Sequence, residues 1–295
     1  MEAFDVMLGF DMETDVGSFT AEYKSLAAGT QIILDILRRR RATGTFYFTG
    51  DAAHKHPEVV HLTRGAGHEV GCHSLYHETV GEPIFHIAGI YPLLPEEVKH
   101  RLAVATDMVA GVAGERPVSF RAPRLFGSTR MVLALEELGY ATDASYPMYY
   151  YGKPIRPYHP SREDWTREGD LKILELPNFA DLSIDSKDEY HRDRDQWPLF
   201  RLEGADALMK HIRSFMGYCH ERSTKPFLCF YFHPWEFQEM PLGDIRFGEG
   251  WIRPDQFMVT NCGAYAAEQF DRLLGLLVAQ GARFRQARHM TKEVE

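Results

Sequence analysis

Short strand-like runs alternate with longer helix-like runs along most of the chain, and this alternation constrains the fold more than any single motif. We predict strands at residues 4–10, 45–48, 69–72, 118–120, 172–176 and 227–232, which are short runs bounded by turn residues. We predict helices at residues 26–37, 57–64, 95–112, 129–138, 205–220 and 265–279, where apolar residues recur at helical spacing. Repeated alternation of strand and helix is typical of a parallel sheet covered by helices.

The first strand–helix unit lacks the glycine motif of an open nucleotide-binding sheet, which favours a barrel. No G-x-G-x-x-G follows the first strand, and Gly65, Gly67 and Gly71 have a different spacing and precede a strand. Neither a Walker A motif nor a G-x-S-x-G turn is present. A length of 295 residues suits an α/β barrel. We therefore expect a distorted (β/α) barrel in which residues 1–295 form a single domain.

Two long segments, residues 147–200 and 236–263, interrupt this alternation. The first contains only one clear strand-like run and is rich in Tyr, Pro, Asp and Arg. Loops of this length usually carry function or pack against a neighbour. We expect them to close a cleft or to bury a subunit interface in a homo-oligomer.

Charge and cysteine content exclude several classes of partner. The formal net charge is −9, whereas a nucleic-acid-binding surface needs clustered Lys and Arg. The one dense basic run, residues 38–41, ends a helical stretch, where the helix dipole favours cations. The four cysteines are far apart, which is typical of buried thiols in a reducing compartment. Since the sequence shows neither a signal-peptide pattern nor a transmembrane run, we expect a cytoplasmic protein without nucleic-acid or membrane partners.

His73 and His77 are the first candidates for chemistry. They are four residues apart, so on a helical turn they would share one face and bind one metal ion. Fourteen histidines in 295 residues make roughly one such pair expected by chance, so the spacing alone means little. The position of the pair is more informative, because it directly follows the predicted strand 69–72.

Other polar side chains also follow predicted strands. They are Asp11 and Glu13 after the first strand, Arg121 after 118–120, Asp143 after the short run 140–142, and His233 after 227–232. In a barrel the carboxyl ends of the parallel strands meet at one rim, where active sites are built. We expect all these side chains to lie close together.

These residue types suit one reaction. Two neutral imidazoles and a carboxylate leave an open position on a divalent ion. Such an ion polarises an acyl oxygen and lowers the pKa of bound water. A second carboxylate acts as the base for that water, an arginine orients the base, and a histidine on the opposite wall protonates a departing amine.

The chain resembles the polysaccharide deacetylases, the family-four carbohydrate esterases that share the NodB homology domain. Five segments match the family signatures in order: Gly9-Phe10-Asp11-Met12-Glu13, His73-Ser74-Leu75-Tyr76-His77, Arg121-Ala122-Pro123, Asp143-Ala144-Ser145 and Phe232-His233-Pro234. The His-Ser-Leu-Tyr-His segment is the most specific of them. The resemblance runs from residue 4 to about residue 235 and implies a distorted barrel, usually with seven strands.

The resemblance also implies a role for each matching residue. Asp11 is the catalytic base, Glu13, His73 and His77 are the metal ligands, Arg121 positions the base, His233 is the general acid, and Asp143 tunes His233.

Three features depart from the usual pattern of the family, and one of them is that Gly127 comes two residues late in the third motif. The family usually has two adjacent aspartates in its first motif, but here Met12 intervenes and Glu13 takes the ligand role, with Asp15 as the competing ligand. Arg124 stands where the backbone amide of a tyrosine often completes the oxyanion site. Its side chain predicts an anionic group on the substrate. We also predict that Trp235 contacts the substrate.

Together these features predict a metal-dependent hydrolase of a non-peptide C–N bond, which deacetylates or deformylates an N-acyl sugar or a small amide. One divalent ion is expected; zinc is favoured, and Co, Mn, Ni or Fe would also fit. A cytoplasmic location favours a soluble small-molecule or sugar substrate over a polymer. Two alternatives stay open: a metal-independent cyclic-ureide or imide hydrolase resembling allantoinase, and a non-catalytic binding protein on the same fold.

Overall fold

The computed structural model describes residues 3–293 except Ala88 and Gly248. Its strands are β1 (Phe4–Met12), β2 (Thr45–Phe48), β3 (Glu69–Cys72), β4 (Ser119–Phe120), β5 (Thr142–Asp143), β6 (Leu174–Glu175), β7 (Phe227–Phe232), β8 (Ile245–Phe247), β9 (Gly250–Ile252) and β10 (Ala282–Arg285). Its helices are α1 (Leu26–Arg40), α2 (Gly50–Lys55), α3 (Pro57–Gly65), α4 (Val98–Ala113), α5 (Thr129–Glu137), α6 (Met148–Tyr151), α7 (Leu199–Leu202), α8 (Ala205–His220), α9 (Gln256–Val259) and α10 (Ala264–Ala279).

Seven parallel strands form a curled sheet in the order β7-β1-β2-β3-β4-β5-β6, so the predicted distorted (β/α) barrel is confirmed. An eighth strand, β10, pairs in parallel with residues 4–7 of β1. The strands β8 and β9 form a separate antiparallel hairpin. The sheet is uneven, because β1 has nine residues whereas β4, β5 and β6 have two each.

The barrel closes between β6 and β7 without a strand ladder in the described residues. Instead, the segment that follows β6 reaches across the gap. The backbone N–H of Phe179 donates to the carbonyl oxygen of Cys229 at 2.7 Å, and the side-chain amide of Gln196 donates to the carbonyl oxygen of Tyr231 at 2.8 Å. The long segment after residue 147 therefore completes the barrel wall.

Two apolar layers follow from the alternation of side chains along β1. Leu8, Phe10 and Met12 pack in the large outer core between the sheet and the helices, whereas Met7 lies in a smaller cluster inside the barrel. Because successive side chains of a strand point to opposite faces, Asp11 and Glu13 face the interior together with Met7. This alternation places both carboxylates at the inner rim of the barrel.

The long helices each bury one apolar stripe against the outer face of the sheet. In α8, Leu208, Ile212 and Phe215 recur at helical spacing and are fully buried. Burial of a side chain of this size contributes about 1.5–3 kcal/mol. No helix in the described part of the chain is long and apolar enough to cross a membrane.

The structure contains elements that the sequence pattern did not indicate. Helix α2 is a single capped turn, in which the Thr49 hydroxyl accepts from the backbone N–H of Ala52. Strand β10 reads Ala-Arg-Phe-Arg and lies at an edge of the sheet, half-buried or exposed along its length. Such short or edge elements carry too weak a hydrophobic pattern to be recognised. The basic run behaves as predicted: it ends α1, and Arg40 binds Asp271 at 2.6 Å.

Gly29 lets α1 lie against the turn that follows β7, and this packing can be tested. A Cβ atom at Gly29 would lie 2.0 Å from the backbone carbonyl oxygen of Pro234, which cannot rotate away. Overpacking costs about 1–3 kcal/mol, so we expect Gly29→Ala to lower the free energy of unfolding by that amount in a urea titration.

Gly111→Ala in α4 is the matched control. A Cβ at Gly111 meets nothing within 4 Å, and alanine should stabilise the helix by about 0.5–1 kcal/mol. Wild-type stability of Gly29→Ala would contradict the close approach of α1.

Candidate active site

Glu13, His73 and His77 form one buried cluster at the carboxyl end of the barrel. Oε2 of Glu13 lies 2.5 Å from Nε2 of His77 and 3.4 Å from Nε2 of His73. One ligand atom from each residue lies within 4.8 Å of the other two, which is close enough to hold one metal ion. The structure thus brings together the three residues that the sequence predicted as ligands.

A bent loop, not a helical turn, brings the imidazoles of His73 and His77 together. The sequence suggested a helical turn, but these residues lie in a bent loop after β3. Ser74 and His77 have left-handed backbones, with φ of 66° and 62°. The Glu78 carboxylate holds the loop by accepting from the backbone N–H of Tyr76 at 2.6 Å and from the Ser74 hydroxyl at 3.1 Å. The loop fold, rather than the face of a helix, therefore sets the spacing of the two ligands.

The hydrogen bonding of His73 fits a metal ligand. Its Nδ1 lies 2.7 Å from the carbonyl oxygen of Arg121. Because a carbonyl oxygen only accepts, Nδ1 carries a proton, and Nε2 is the nitrogen that presents a lone pair when the ring is neutral. This Nε2 is buried and has no hydrogen-bond partner among the described residues. A ligating histidine commonly has its other ring nitrogen bound to a carbonyl in this way.

The charge states of the other two ligands also suit a divalent cation. Burial lowers the pKa of His77 to about 4, against the opposing effect of Glu13, so the imidazole is neutral at pH 7. Burial alone would raise the pKa of Glu13, but the neighbouring histidines outweigh it and hold this pKa well below its usual value. A carboxylate and two neutral imidazoles are the donor set of a zinc site with an open position.

Asp15 does not compete for this cluster. Its carboxylate accepts from the backbone N–H of Ser25 at 3.2 Å. This contact ties the loop after β1 to the start of α1. The cluster of potential ligands in the described residues contains Glu13 and not Asp15.

Asp11 is oriented by Arg121, whose side chain crosses the barrel interior and is fully buried. Nη1 of Arg121 donates to Oδ1 of Asp11 at 3.0 Å. Its other donors reach the carbonyl oxygens of Ala144 and Phe230 at 3.1 and 3.3 Å. Only glycine fits beneath the guanidinium, since a Cβ at Gly9 would lie 2.1 Å from Nη1. Arg121 therefore fixes the direction of the Asp11 carboxylate.

His233 faces the same space from the end of β7, the strand that pairs with β1. Its Nε2 lies 3.8 Å from Oε1 of Glu13 and 3.9 Å from Oδ2 of Asp11. Its Nδ1 lies 2.9 Å from Oε1 of Glu236. Burial opposes a charged imidazole, but the surrounding carboxylates outweigh it and raise the pKa of His233 to about 9. A protonated imidazole at this position is suited to donate a proton.

The structure corrects the role predicted for Asp143. The partner of the His233 ring is Glu236, and Asp143 lies on the other face of its strand. Ala144 belongs to the cluster inside the barrel, so its neighbour Asp143 points outward. There Asp143 is the register partner of Glu175 and accepts from the Ser145 hydroxyl at 2.5 Å.

The buried Asp143–Glu175 pair supports the site from behind. Oε1 of Glu175 accepts from the backbone N–H groups of Ser145 and Tyr146 at 3.1 and 2.9 Å. The two carboxyl groups interact with each other, and within the described chain their remaining oxygens meet no other donor. Two buried acceptors are compatible only if they share a proton. Burial raises the pKa of Asp143 to about 6 and that of Glu175 well above its usual value.

The two predicted substrate contacts differ in outcome. Trp235 is 2% exposed and stacks on the His233 ring at 5.2 Å, so it supports that ring and offers no surface to a ligand. Arg124 lies beside the ligand cluster, where Nη1 donates to the carbonyl oxygen of His77 and the Thr79 hydroxyl, both at 3.2 Å. The contact of Arg124 with substrate stays a prediction.

A cavity of about 460 Å³ lies next to the cluster, and His77 is one of its lining residues. Arg124 and three tyrosines, Tyr23, Tyr76 and Tyr91, are among its lining residues. Tyr76 and Tyr91 are 59% and 76% exposed. These rings offer flat apolar faces to a ligand beside a cation.

Three residues of the site were missed by the sequence pattern: Glu236, Arg201 and Trp197. Glu236 stands three residues after His233 with Pro234 between them, and this helix-start pattern could have identified it. Arg201 and Trp197 both donate to the Glu236 carboxylate. They come from the long irregular segment and its continuation, where no local pattern indicates their position.

Comparison with known proteins supports this description. The model of the polysaccharide deacetylase family matches residues 3–142, slightly less than half of the chain. The peptidoglycan-N-acetylmuramic acid deacetylase PdaA of Bacillus subtilis (strain 168) is 26% identical over 114 residues, which are 38% of this chain. The chain matches only 40% of the length of that curated relative.

Solved structures share the fold over almost the whole chain. A Mycobacterium smegmatis protein that carries the name polysaccharide deacetylase has a TM-score of 0.63 at 17% identity, covering 99% of this chain and 90% of its own. The PuuE allantoinase has a TM-score of 0.62 at 13% identity, covering 98% of this chain and 89% of its own. At these identities the likeness shows the fold alone. That residues 1–295 form a single domain stays a prediction.

The shared proton of Asp143 and Glu175 predicts a pH dependence of stability. A carboxyl group whose pKa is raised on folding stabilises the protein below its unfolded pKa, and this contribution is lost as the pH rises through the folded pKa. Glu175→Gln keeps an acceptor for both backbone N–H groups and a permanent donor for Asp143. We expect the variant to gain more than about 1.4 kcal/mol relative to wild type between pH 5 and pH 9, the equivalent of one pKa unit. Urea titrations across this range measure the difference; parallel pH profiles of the two proteins would contradict the shared proton.

Proposed function

We propose that the chain is a member of the polysaccharide deacetylase family and a metal-dependent hydrolase that removes the acyl group from an N-acyl sugar or a small amide. The observation that carries the proposal is the buried cluster of Glu13, His73 and His77 beside Asp11 and His233. The five side chains supply ligands, a base and an acid around one space. The family match covers the first four of these positions, and His233 follows β7 of the same barrel.

The ligand cluster fits a single divalent ion, with zinc favoured by its donor set. Bound there, the ion would supply Lewis-acid chemistry by polarising the acyl oxygen and lowering the pKa of a water molecule. Glu13 balances part of its charge, while His73 is held by the Arg121 carbonyl group and His77 by its loop. The orphaned Nε2 of His73 is the observation that best fits such an ion.

The residues of the chain then divide the proton transfers. Asp11, oriented by Arg121, takes a proton from the attacking water as the new C–O bond forms. His233 gives its Nε2 proton to the departing nitrogen as the C–N bond breaks. The products are a carboxylic acid and an amine. Arg124 lies next to His77, and we assign its backbone N–H to the oxyanion that develops on the acyl carbon.

The cavity beside His77 supports a sugar as the substrate. Its exposed tyrosine rings suit the apolar faces of a pyranose, and Arg124 suits an anionic substituent. The name of the curated relative specifies an N-acetylmuramic acid deacetylase, whose substrate is also an acidic N-acetyl sugar. We therefore propose an acidic N-acyl sugar as the preferred substrate class. The cytoplasmic location, the homo-oligomer and the absence of nucleic-acid and membrane partners stay predictions.

A second candidate function follows from the fold shared with an allantoinase. A metal-independent cyclic-ureide hydrolase would need neither His73 nor His77 as a ligand. The intact cluster of both histidines with Glu13 favours the metal-dependent reaction.

The proposal is tested by screening N-acyl substrates on protein reconstituted with zinc. We expect release of acetate or formate from N-acyl sugars, including N-acetylmuramic acid, and no turnover of allantoin. Asp11→Asn should retain the metal and lower kcat by about 10²- to 10⁴-fold, because the base is lost. His77→Ala should lose both bound metal and turnover.

Asp107→Asn, on the exposed surface of α4, is the control and should behave as wild type. Full turnover by His77→Ala, or hydrolysis of allantoin by protein stripped of metal, would contradict the proposed function.

A further inference from the structure

Glu236 is the most constrained side chain around His233. It is fully buried, and its two carboxylate oxygens have separate tasks. Oε1 faces His233, whose backbone N–H donates at 3.0 Å and whose Nδ1 lies at 2.9 Å. Oε2 faces two donors, Nε of Arg201 at 2.6 Å and Nε1 of Trp197 at 3.0 Å. These four donors together fix the orientation of the Glu236 carboxylate.

Arg201 gives Glu236 a buried positive partner that is itself anchored. Its side chain is fully buried. Its remaining N–H groups donate to the carbonyl oxygens of Thr260 at 2.5 Å and Met258 at 2.9 Å. Burying an ion pair costs desolvation energy, which the attraction between the charges offsets only if further hydrogen bonds satisfy the remaining donors. The two carbonyl oxygens satisfy the remaining donors of Arg201. Burial would raise the pKa of Glu236, but the Arg201 guanidinium and His233 outweigh this effect and hold the pKa below its usual value.

Two neighbouring tryptophans pack against the His233 ring. Trp235 stacks on one face of the ring, with centroids 5.2 Å apart and planes inclined by 23°. Trp197 meets the ring at 5.8 Å and 76°. With Nδ1 fixed by Glu236, the ring has one orientation left, in which Nε2 points to Asp11 and Glu13.

We propose that Glu236, fixed by Arg201 and Trp197, is the positioning residue that directs Nε2 of His233 toward the leaving nitrogen and stabilises the charged imidazole. This inference rests on the proposed function and deepens it, since it assigns to Glu236 the task that the family resemblance gave to Asp143. Glu236 touches no reacting atom. It acts through His233 by accepting the Nδ1 proton, while Nε2 delivers its proton to the nitrogen as the C–N bond breaks.

The variant Glu236→Gln separates this role from a merely structural one. Arg201 and Trp197 are donors only, so the amide oxygen of the introduced side chain must face them and its NH₂ group must face Nδ1, while the backbone N–H of His233 loses its acceptor. The imidazole then carries its proton on Nε2 and loses the partner of its positive charge. We expect kcat to fall for a substrate whose leaving group must be protonated, and to change little for an ester with a good leaving group.

Two readouts on the zinc-loaded protein test the proposal. In ¹⁵N NMR of histidine-labelled protein, we expect Nδ1 of His233 to carry a proton in wild type and to lose it in Glu236→Gln, where only Nε2 stays protonated. In kinetics, kcat for an N-acetyl sugar should fall about 10²- to 10⁴-fold with KM within about twofold. Hydrolysis of p-nitrophenyl acetate, whose phenolate leaves without a proton, should fall less than about fivefold, and zinc content should be unchanged. Glu221→Gln, an exposed matched substitution, is the control.

Trp197→Phe keeps an aromatic ring and removes the indole N–H that donates to Glu236. This variant replaces Glu236→Gln in the test if Glu236→Gln does not fold. We expect a loss of kcat on the amide of about three- to tenfold and none on the ester. An equal loss on amide and ester in either variant, or an Nδ1 of His233 that stays protonated in Glu236→Gln, would overturn the proposal. If wild type cleaves no amide, the proposed function fails, and the NMR result still decides whether Glu236 positions His233.

Discussion

The buried guanidinium of Arg121 is the interaction on which the rest of the site depends. Removal of one partner from a buried ion pair typically costs about 3–5 kcal/mol, so a side chain in this position must find its acceptors. It finds them on β1, on the segment after β5, on β7 and on Asn178, and it lies over the Tyr47 ring. These contacts join both sides of the gap between β6 and β7, which form no ladder with each other in the described residues. The same contacts fix Asp11, and the carbonyl group of Arg121 fixes His73.

Much of the site could be predicted because it depends on local rules. The strand β1 continues to Met12, and the alternation of side chains turns Asp11 and Glu13 inward while Met12 packs in the outer core. The insertion of Met12 between the two acids, which departs from the usual family motif, therefore leaves both on one face. His73 and His233 follow directly on β3 and β7, so their place at the rim follows from the parallel sheet. Residue type and strand end were sufficient for these positions.

The partners of the site residues could not be predicted in the same way. Asp143 satisfied the strand-end rule but occupies the outer face of β5, because Ala144 is the residue that points inward. Glu236 reaches His233 through the turn that follows β7, and its counter-charge Arg201 comes from α7. The bent loop at Ser74 depends on the Glu78 carboxylate rather than on any periodicity. Such contacts arise from tertiary packing, which leaves no pattern in the sequence near each residue.

The proposed function depends on one metal ion bound by Glu13, which follows β1, and by His73 and His77, which follow β3, with Asp11 and His233 beside it. Anomalous X-ray diffraction from crystals equilibrated with zinc tests this most directly. We predict one strong zinc peak at about 2.0–2.2 Å from the Glu13 carboxylate and from Nε2 of His73 and His77. A zinc peak that excludes Glu13, or no peak at the two histidines under conditions where zinc is in excess, would contradict it.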